Sequence, residues 1–301
     1  MPQLLVLSLF SSWFSFINWL SDPFRSNHPS FPYHLDHPDV TFDMPDEIKE
    51  ISGLSLTADG EMLAAVNDEA GIVFLLDKKT GEIRSRVPFR ESGDFEGVEI
   101  VGNDAWVLKS SGTLYQIKNF AEQNPVVEKY KSFLTSENDV EGLAFDAKNN
   151  RLLLACKGKG VDGDAPNRAV FAFDLATKMV GESPAFLITL PSLQSFLENS
   201  GEEDAGKKKE KLLSGDDSSL SIAPSGIAVH PLSGDVFITS ARGNMLLVLD
   251  QTGKLLHFEK LKKSTHAQPE GICFDADGTL FIANEGAGGT AKIHCFDYKK
   301  Q

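Results

Sequence analysis

The chain is short of positive charge. Its 301 residues carry 29 Lys and Arg against 43 Asp and Glu, a formal net charge of −14. That balance argues against nucleic acid and bare anionic membrane surfaces as partners, and leaves divalent cations and cationic ligands as the easier ones. Cysteine is scarce as well. Cys156, Cys273 and Cys295 each sit in an apolar, strand-like run, with no Cys-x-x-Cys and no even-numbered set. A disulfide framework and a zinc site of the Cys/His kind are excluded, and buried free thiols are expected. Also missing are a Gly-x-Ser-x-Gly elbow and a Walker loop, so nucleophilic catalysis has no support in the sequence.

Charge of either sign is absent from residues 4–20, LLVLSLFSSWFSFINWL. The run is at the short limit of a membrane span and long for the core of a signal peptide. A cleaved signal wants small residues of the Ala-x-Ala kind, yet the first alanine is Ala58. The first basic residue is Arg25, so a positive leading region is missing too. Residues 1–21 therefore read as a hydrophobic membrane anchor in preference to a cleaved signal, with Trp19 beside Asp22 and Arg25 at the interface. Residues 22–38, rich in Pro, His and Ser, read as a tether.

What the sequence does have is a repeat. ISGLSL, FEGVEI, VEGLAF, PSGIAV and PEGICF recur along the chain, and the residue before each glycine marks the unit: Ser52, Glu96, Glu141, Ser225 and Glu270. The steps between markers are 44, 45, 84 and 45 residues. After each marker come an apolar strand, a tight turn (TADGEM, VGNDAW, AKNNRL, PLSGDV, DADGTL) and a second strand. A third strand follows, and in several copies a fourth. Four short strands per unit of about 40 to 45 residues is the signature of a β-propeller blade. The expected fold is all-β, a propeller over residues 39–301 with five blades and six as the alternative. The last copy ends after its third strand, so DVTFDM at 39–44 is expected to supply the missing one and close the ring. In the 84-residue step only AFLITL at 185–190 looks like a strand. The charged remainder, about 191–222, reads as an insertion whose 207–211 lysine run is a solvated face.

The first strand of a propeller blade lines the central channel, so the loop entering it and the loop leaving the second strand open on one face. Ser52, Glu96, Glu141, Ser225 and Glu270 come from the entering loops. Asn67, Asp68, Lys109, Lys157, Arg242, Asn284 and Glu285 come from the leaving loops. Together they predict a concave polar site at the axial mouth. Glu96, Glu141, Glu270, Asn284 and Glu285 form the hard-oxygen set that Ca²⁺ takes, which makes calcium the expected cofactor. Lys109 and Lys157 offer a different outcome, either neutralising Glu96 and Glu141 or binding an anionic group of a ligand. The markers accept Ser as well as Glu, which is also what a purely structural hydrogen-bonding position would do. His266 stands in the loop entering the last blade, within reach of the same face.

With these motifs in place (ISGLSL, GDFEGVEI, NDVEGLAFD, PSGIAVHP and QPEGICFDADGTLFIANE) the chain resembles the SdiA-regulated, YjiK-like propeller family over roughly residues 40–298. The resemblance implies a membrane-anchored or exported bacterial propeller on the periplasmic or extracellular side, with one branch of the family linked to calcium response. It implies no reaction. The leading expectation is a non-catalytic, membrane-tethered propeller that binds a divalent cation or small polar ligand at its mouth, in a sensing or envelope role. The alternative is a metal-dependent hydrolase of the phosphoesterase or lactonase kind, in which a bound cation polarises the substrate and an axial carboxylate acts as base. A protein partner on the propeller rim, with the insertion as its contact, is a third.

Overall fold

The computed structural model describes residues 31–161, 166–199, 212 and 220–299. The hydrophobic segment 1–21, the start of the tether and most of the charged insertion, its 207–211 run included, lie outside the described residues. No helix among the described residues is long and apolar enough to cross a membrane.

The repeat units fold as five antiparallel sheets. The first contains β2 (Ile51–Leu56), β3 (Met62–Asn67), β4 (Ile72–Asp77) and β5 (Ile83–Pro88) in chain order. The second contains β6 (Phe95–Val101), β7 (Asp104–Lys109), β8 (Leu114–Lys118) and β9 (Val126–Tyr130). In the third, β10 (Val140–Asp146), β11 (Arg151–Cys156) and β12 (Asn167–Asp174) are followed by two short strands, β13 (Met179–Val180) and β14 (Phe186–Thr189), which both pair with β12. The fourth is β15 (Ala223–Val229), β16 (Val236–Arg242), β17 (Met245–Leu249) and β18 (Leu255–Lys260). The fifth is β19 (Pro269–Phe274), β20 (Leu280–Asn284) and β21 (Lys292–Phe296), with β1 (Val40–Asp43) on its outer edge. There Val40 pairs with Cys295 and Asp43 with Lys292.

The inner strands meet in a cycle: β2 touches β6, β6 touches β10, β10 touches β15, β15 touches β19, and β19 touches β2 again. This is a five-bladed propeller. The sixth-blade alternative fails because AFLITL supplies β14, an edge of the third blade. Each blade interface holds its own apolar cluster, such as Leu63, Phe74, Phe281 and Ile293 between the fifth and first blades. A middle strand buried on both faces has no polar alternation, so β20 reads LFIAN and is buried throughout. An outer strand faces water and breaks the pattern, as VVEKY does in β9.

Two segments are more tightly integrated than their composition implies. Helix α1 (Leu190–Asn199) opens the insertion, and Leu193, Leu197, Leu212, Leu220 and Ile222 join the core between the third and fourth blades. The tether expected over 22–38 is described from Phe31 onward, and there it is packed. Tyr33 and Leu35 are buried against Phe237, Leu246, Ile282 and Phe296 of the fourth and fifth blades.

Candidate functional site at the axial mouth

At every marker the strand pairing slips. Ile51 pairs with Asn67 but Gly53 with Val66; Phe95 pairs with Lys109 but Gly97 with Leu108. The same shift falls between Val140 and Gly142, between Pro224 and Gly226, and between Pro269 and Ile272. The marker is thus the extra residue of a β-bulge, a device that re-aims a side chain while the ladder continues. Behind it, each glycine lies against the next inner strand. A Cβ on Gly53 would sit 2.6 Å from the Val98 nitrogen, and one on Gly271 would sit 2.7 Å from the Leu54 nitrogen. Only a residue without a side chain allows that approach. The five glycines therefore close the axis, and at the three Glu-Gly pairs the bulge places a carboxylate near it.

Ser52, Glu96, Glu141 and Ser225 line a cavity floored by Leu54, Val98, Leu143, Ile227 and Ile272. Its volume is about 10 Å³, room for roughly one water.

The carboxylates feel one another strongly. Burial, then repulsion from Glu141, Asp94 and Glu270, pushes Glu96 up to about 9. Burial pushes Glu141 up to about 7, against the pull of Lys157, whose ammonium is hydrogen-bonded to Glu141 Oε1. Burial raises Glu270 well above the ordinary carboxylate range, with Glu141 and Glu285 adding to it. Gln268 bridges Glu270 and Glu285, its Nε2 lying 3.2 Å from Glu270 Oε1 and donating also to Glu285 Oε2. Beside Glu285, burial and then repulsion from Glu50, Glu69 and Glu285 raise Asp68 to about 6, and Asp68 Oδ1 is buried without a hydrogen-bond partner.

The structure therefore gathers Glu96, Glu141, Glu270 and Lys157 at the axis, with Glu285 and Asp68 beside them at the junction of the fifth and first blades. The other expected site residues do not join this charged group. Ser225 donates to the Pro269 carbonyl at 2.6 Å and accepts from the Ala241 amide at 3.1 Å, inside the wall. The Ser52 hydroxyl donates to Glu50 O at 3.2 Å. Asn67 holds the turn after β3, donating to Glu47 O at 2.9 Å and accepting from Ala70 N at 2.8 Å. Lys109 lies over the Phe95 ring at 5.7 Å and, unlike Lys157, makes no ion pair among the described residues. Arg242 is exposed at the end of β16. Asn284 is buried, with Oδ1 unpartnered. His266 is fully buried and bonded to Leu35 O, away from the mouth.

Gln268 and Asp94 were not singled out from the sequence. Gln268 was findable, since it stands two residues before Glu270, the same-face spacing of an extended chain. Glu99 was not findable from the repeat, because the matching positions are Ser55, Ala144, Ala228 and Cys273. Its carboxylate accepts from Ser55 Oγ at 2.8 Å, Ile100 N at 3.1 Å and Phe145 N at 3.1 Å, tying the first three blades together. Among the described residues no three His, Cys, Asp or Glu side chains come together at the spacing of a metal-ligand set. A cation at this mouth would be held through fewer than three direct carboxylates or through its water shell.

A model of the SdiA-regulated family matches residues 32–160 and 182–287. No curated protein matches the chain. Among solved structures, hydrazine synthase of Kuenenia stuttgartiensis is 15% identical with a TM-score of 0.47, the match covering 81% of this chain and 83% of that one. The Cps50 (Swd1) β-propeller domain of Myceliophteria thermophila is 13% identical with a TM-score of 0.43, over 83% of this chain and 84% of that one.

Proposed function

The chain belongs to the SdiA-regulated family, and from that premise we propose that it is a non-catalytic binding propeller whose axial mouth takes a cation, with Ca²⁺ the first candidate. One observation carries this reading. Bulged carboxylates from three blades are desolvated together and repel one another, and among the described residues the Lys157 ammonium is the one hydrogen-bonded to them. A cation relieves that repulsion and replaces the protons that the raised affinities otherwise demand. Glu96 and Glu270 supply charge, Glu141 is already half-neutralised by Lys157, and Gln268 holds Glu270 and Glu285 in register.

Thermal unfolding of the full chain tests the proposal, first in chelator and then with Ca²⁺, Mg²⁺, Mn²⁺ or a primary alkylammonium. A ligand that binds only the folded state raises Tm with concentration, by about 2.7 kcal/mol of stability at roughly one hundred times its Kd. The expected result is such a rise with Ca²⁺ that is lost in Glu270→Gln. A rise with the ammonium alone keeps the cation and changes its class; no rise with any of them ends the reading.

The uncharged segment 4–20 supports a second part of the proposal, that residues 1–21 anchor the propeller to a membrane. The full chain is then expected in the membrane pellet after a high-salt wash, and a chain lacking residues 1–21 in the supernatant. Full-length protein in the supernatant would reject the anchor.

A further inference from the structure

His230, His257, His266 and His294, the four histidines that follow residue 43, all touch the segment between Phe31 and Asp43. His230 Nε2 lies 2.9 Å from the Tyr33 hydroxyl. His257 stacks on Phe31 with ring centroids 3.9 Å apart. His266 Nε2 lies 2.9 Å from Leu35 O, and His294 Nδ1 lies 2.8 Å from Thr41 Oγ1. The contacts are spread along a segment whose Phe31, Tyr33 and Leu35 pack between the fourth and fifth blades, which turns with His37 N donating to His34 O at 2.9 Å before Val40 enters the fifth sheet.

The hydrogen bonds fix the proton on each buried ring. A carbonyl only accepts, so His266 Nε2 donates to Leu35 O, and His294 Nε2 donates to Thr265 O at 2.9 Å. Tyr33 gives its own proton to Gly278 O at 2.6 Å, so His230 Nε2 donates to the Tyr33 oxygen. On all three rings Nδ1 is then the bare nitrogen. That of His230 accepts from Ser233 N at 3.2 Å, that of His294 accepts from Thr41 Oγ1, and that of His266 is buried with no partner. A second proton on His230 would displace the Ser233 N–H and turn to the Ser233 hydroxyl oxygen, also 3.2 Å away. On His266 it would be a buried charge with no acceptor. On His294 it would force the Thr41 hydroxyl to reverse from donor to acceptor.

We propose that residues 31–43 form an acid-released strap: neutral His230, His266 and His294 hold it on the fourth and fifth blades, and their protonation frees it together with β1. His257, half-exposed and 3.1 Å from Glu259 Oε2, packs the strap but is not part of the trigger. The charged neighbours of the three rings are few. Asp235 faces His230 from its own loop. Asp36 and Glu259 face His266 and favour its charge, while His294 opposes it. Asp43 favours a charge on His294 and Lys292 opposes it. Burial outweighs these, lowering all three and bringing His266 to about 4. The closed strap binds fewer protons than the open one, so closure is fully favoured above about pH 6.5 and is lost as pH falls from there towards about 4. Within that window His266 raises the opening equilibrium by up to about tenfold per pH unit, and His230 and His294 act in the same direction.

Amide hydrogen exchange of the full chain between about pH 7 and about pH 4.5, corrected for intrinsic exchange, reads the strap directly. Protection over 31–43 is expected to fall at least about tenfold while β3 and β4 of the first blade stay protected. Unchanged protection over 31–43, or its loss only together with the first blade, overturns the strap. His266→Gln and His294→Gln each keep a donor for the same carbonyl and cannot titrate. Either variant, folded, is expected to open less steeply with acid, and a wild-type slope in both overturns the histidine trigger.

Discussion

Gly226→Ala is expected to destabilise the propeller by more than about 3 kcal/mol, the range of a severe overpacking change. The new Cβ would lie 2.7 Å from Thr239 Oγ1 and closer still to the Glu270 carbonyl oxygen. Neither atom can step aside, because Thr239 Oγ1 donates to that same carbonyl at 2.8 Å. Relief would require β15 and β19 to move apart, and those strands are links in a five-membered cycle. Moving one link strains the others. Gly181→Ala is the matched control: its Cβ would meet nothing nearer than Ser183 O at 3.8 Å. At such a site alanine is expected to be neutral or to stabilise by about 0.4–1 kcal/mol through the unfolded chain. Urea unfolding of the two variants beside the wild type decides it. If Gly226→Ala were as stable as Gly181→Ala, crowding at the axis would not be the reason for the glycines.

The same glycines show why the fold was legible. A blade repeats its constraints locally, with a small residue where backbones crowd, a turn sequence after the first strand and a continuous apolar run where a strand is covered on both faces. Those constraints recur at 44 and 45 residues and can be counted. The site was legible only as a set of positions. That Glu96, Glu141 and Glu270 share a mouth follows from the repeat. That each is a bulged residue does not, because a bulge is a property of two paired strands. Nor could sequence say that Lys157 pairs with Glu141 while Lys109 turns to the Phe95 ring, since the register that sets Lys109 opposite Phe95 but Cys156, one residue before Lys157, opposite Val140 belongs to the paired strands. The strap was hidden by its composition. Pro, His and Asp around Phe31, Tyr33 and Leu35 look like a linker, and the alternate apolar residues were the signal that the segment packs. The insertion misled in the same way, its charged residues masking the Leu193 and Leu197 spacing that buries one face of α1.

Glu96→Gln is expected to stabilise the unliganded protein at neutral pH, by about 2 kcal/mol. The carboxyl has an ordinary value of 4.5 and rises to about 9 in the fold, first through burial and then through Glu141, Asp94 and Glu270. A raised acid contributes stability that is fully present below about pH 4.5 and is lost as pH rises through about 9. At pH 7 the gap between 7 and 4.5 corresponds to about 3 kcal/mol in full, reduced here because the mouth opens to water. Glutamine carries no such penalty. Paired urea titrations should therefore find the two proteins alike near pH 4 and diverging as pH rises, with the histidines cancelling because both chains have them. A difference that does not change with pH would show that Glu96 is not held protonated by its surroundings. A saturating cation should then narrow or reverse the gap, since it substitutes for the proton on Glu96 and has less to bind in the variant. Three carboxylates that weaken the empty propeller are a stability sacrifice of the kind that active or binding sites make, and a cation bound at the mouth, as proposed, would recover it.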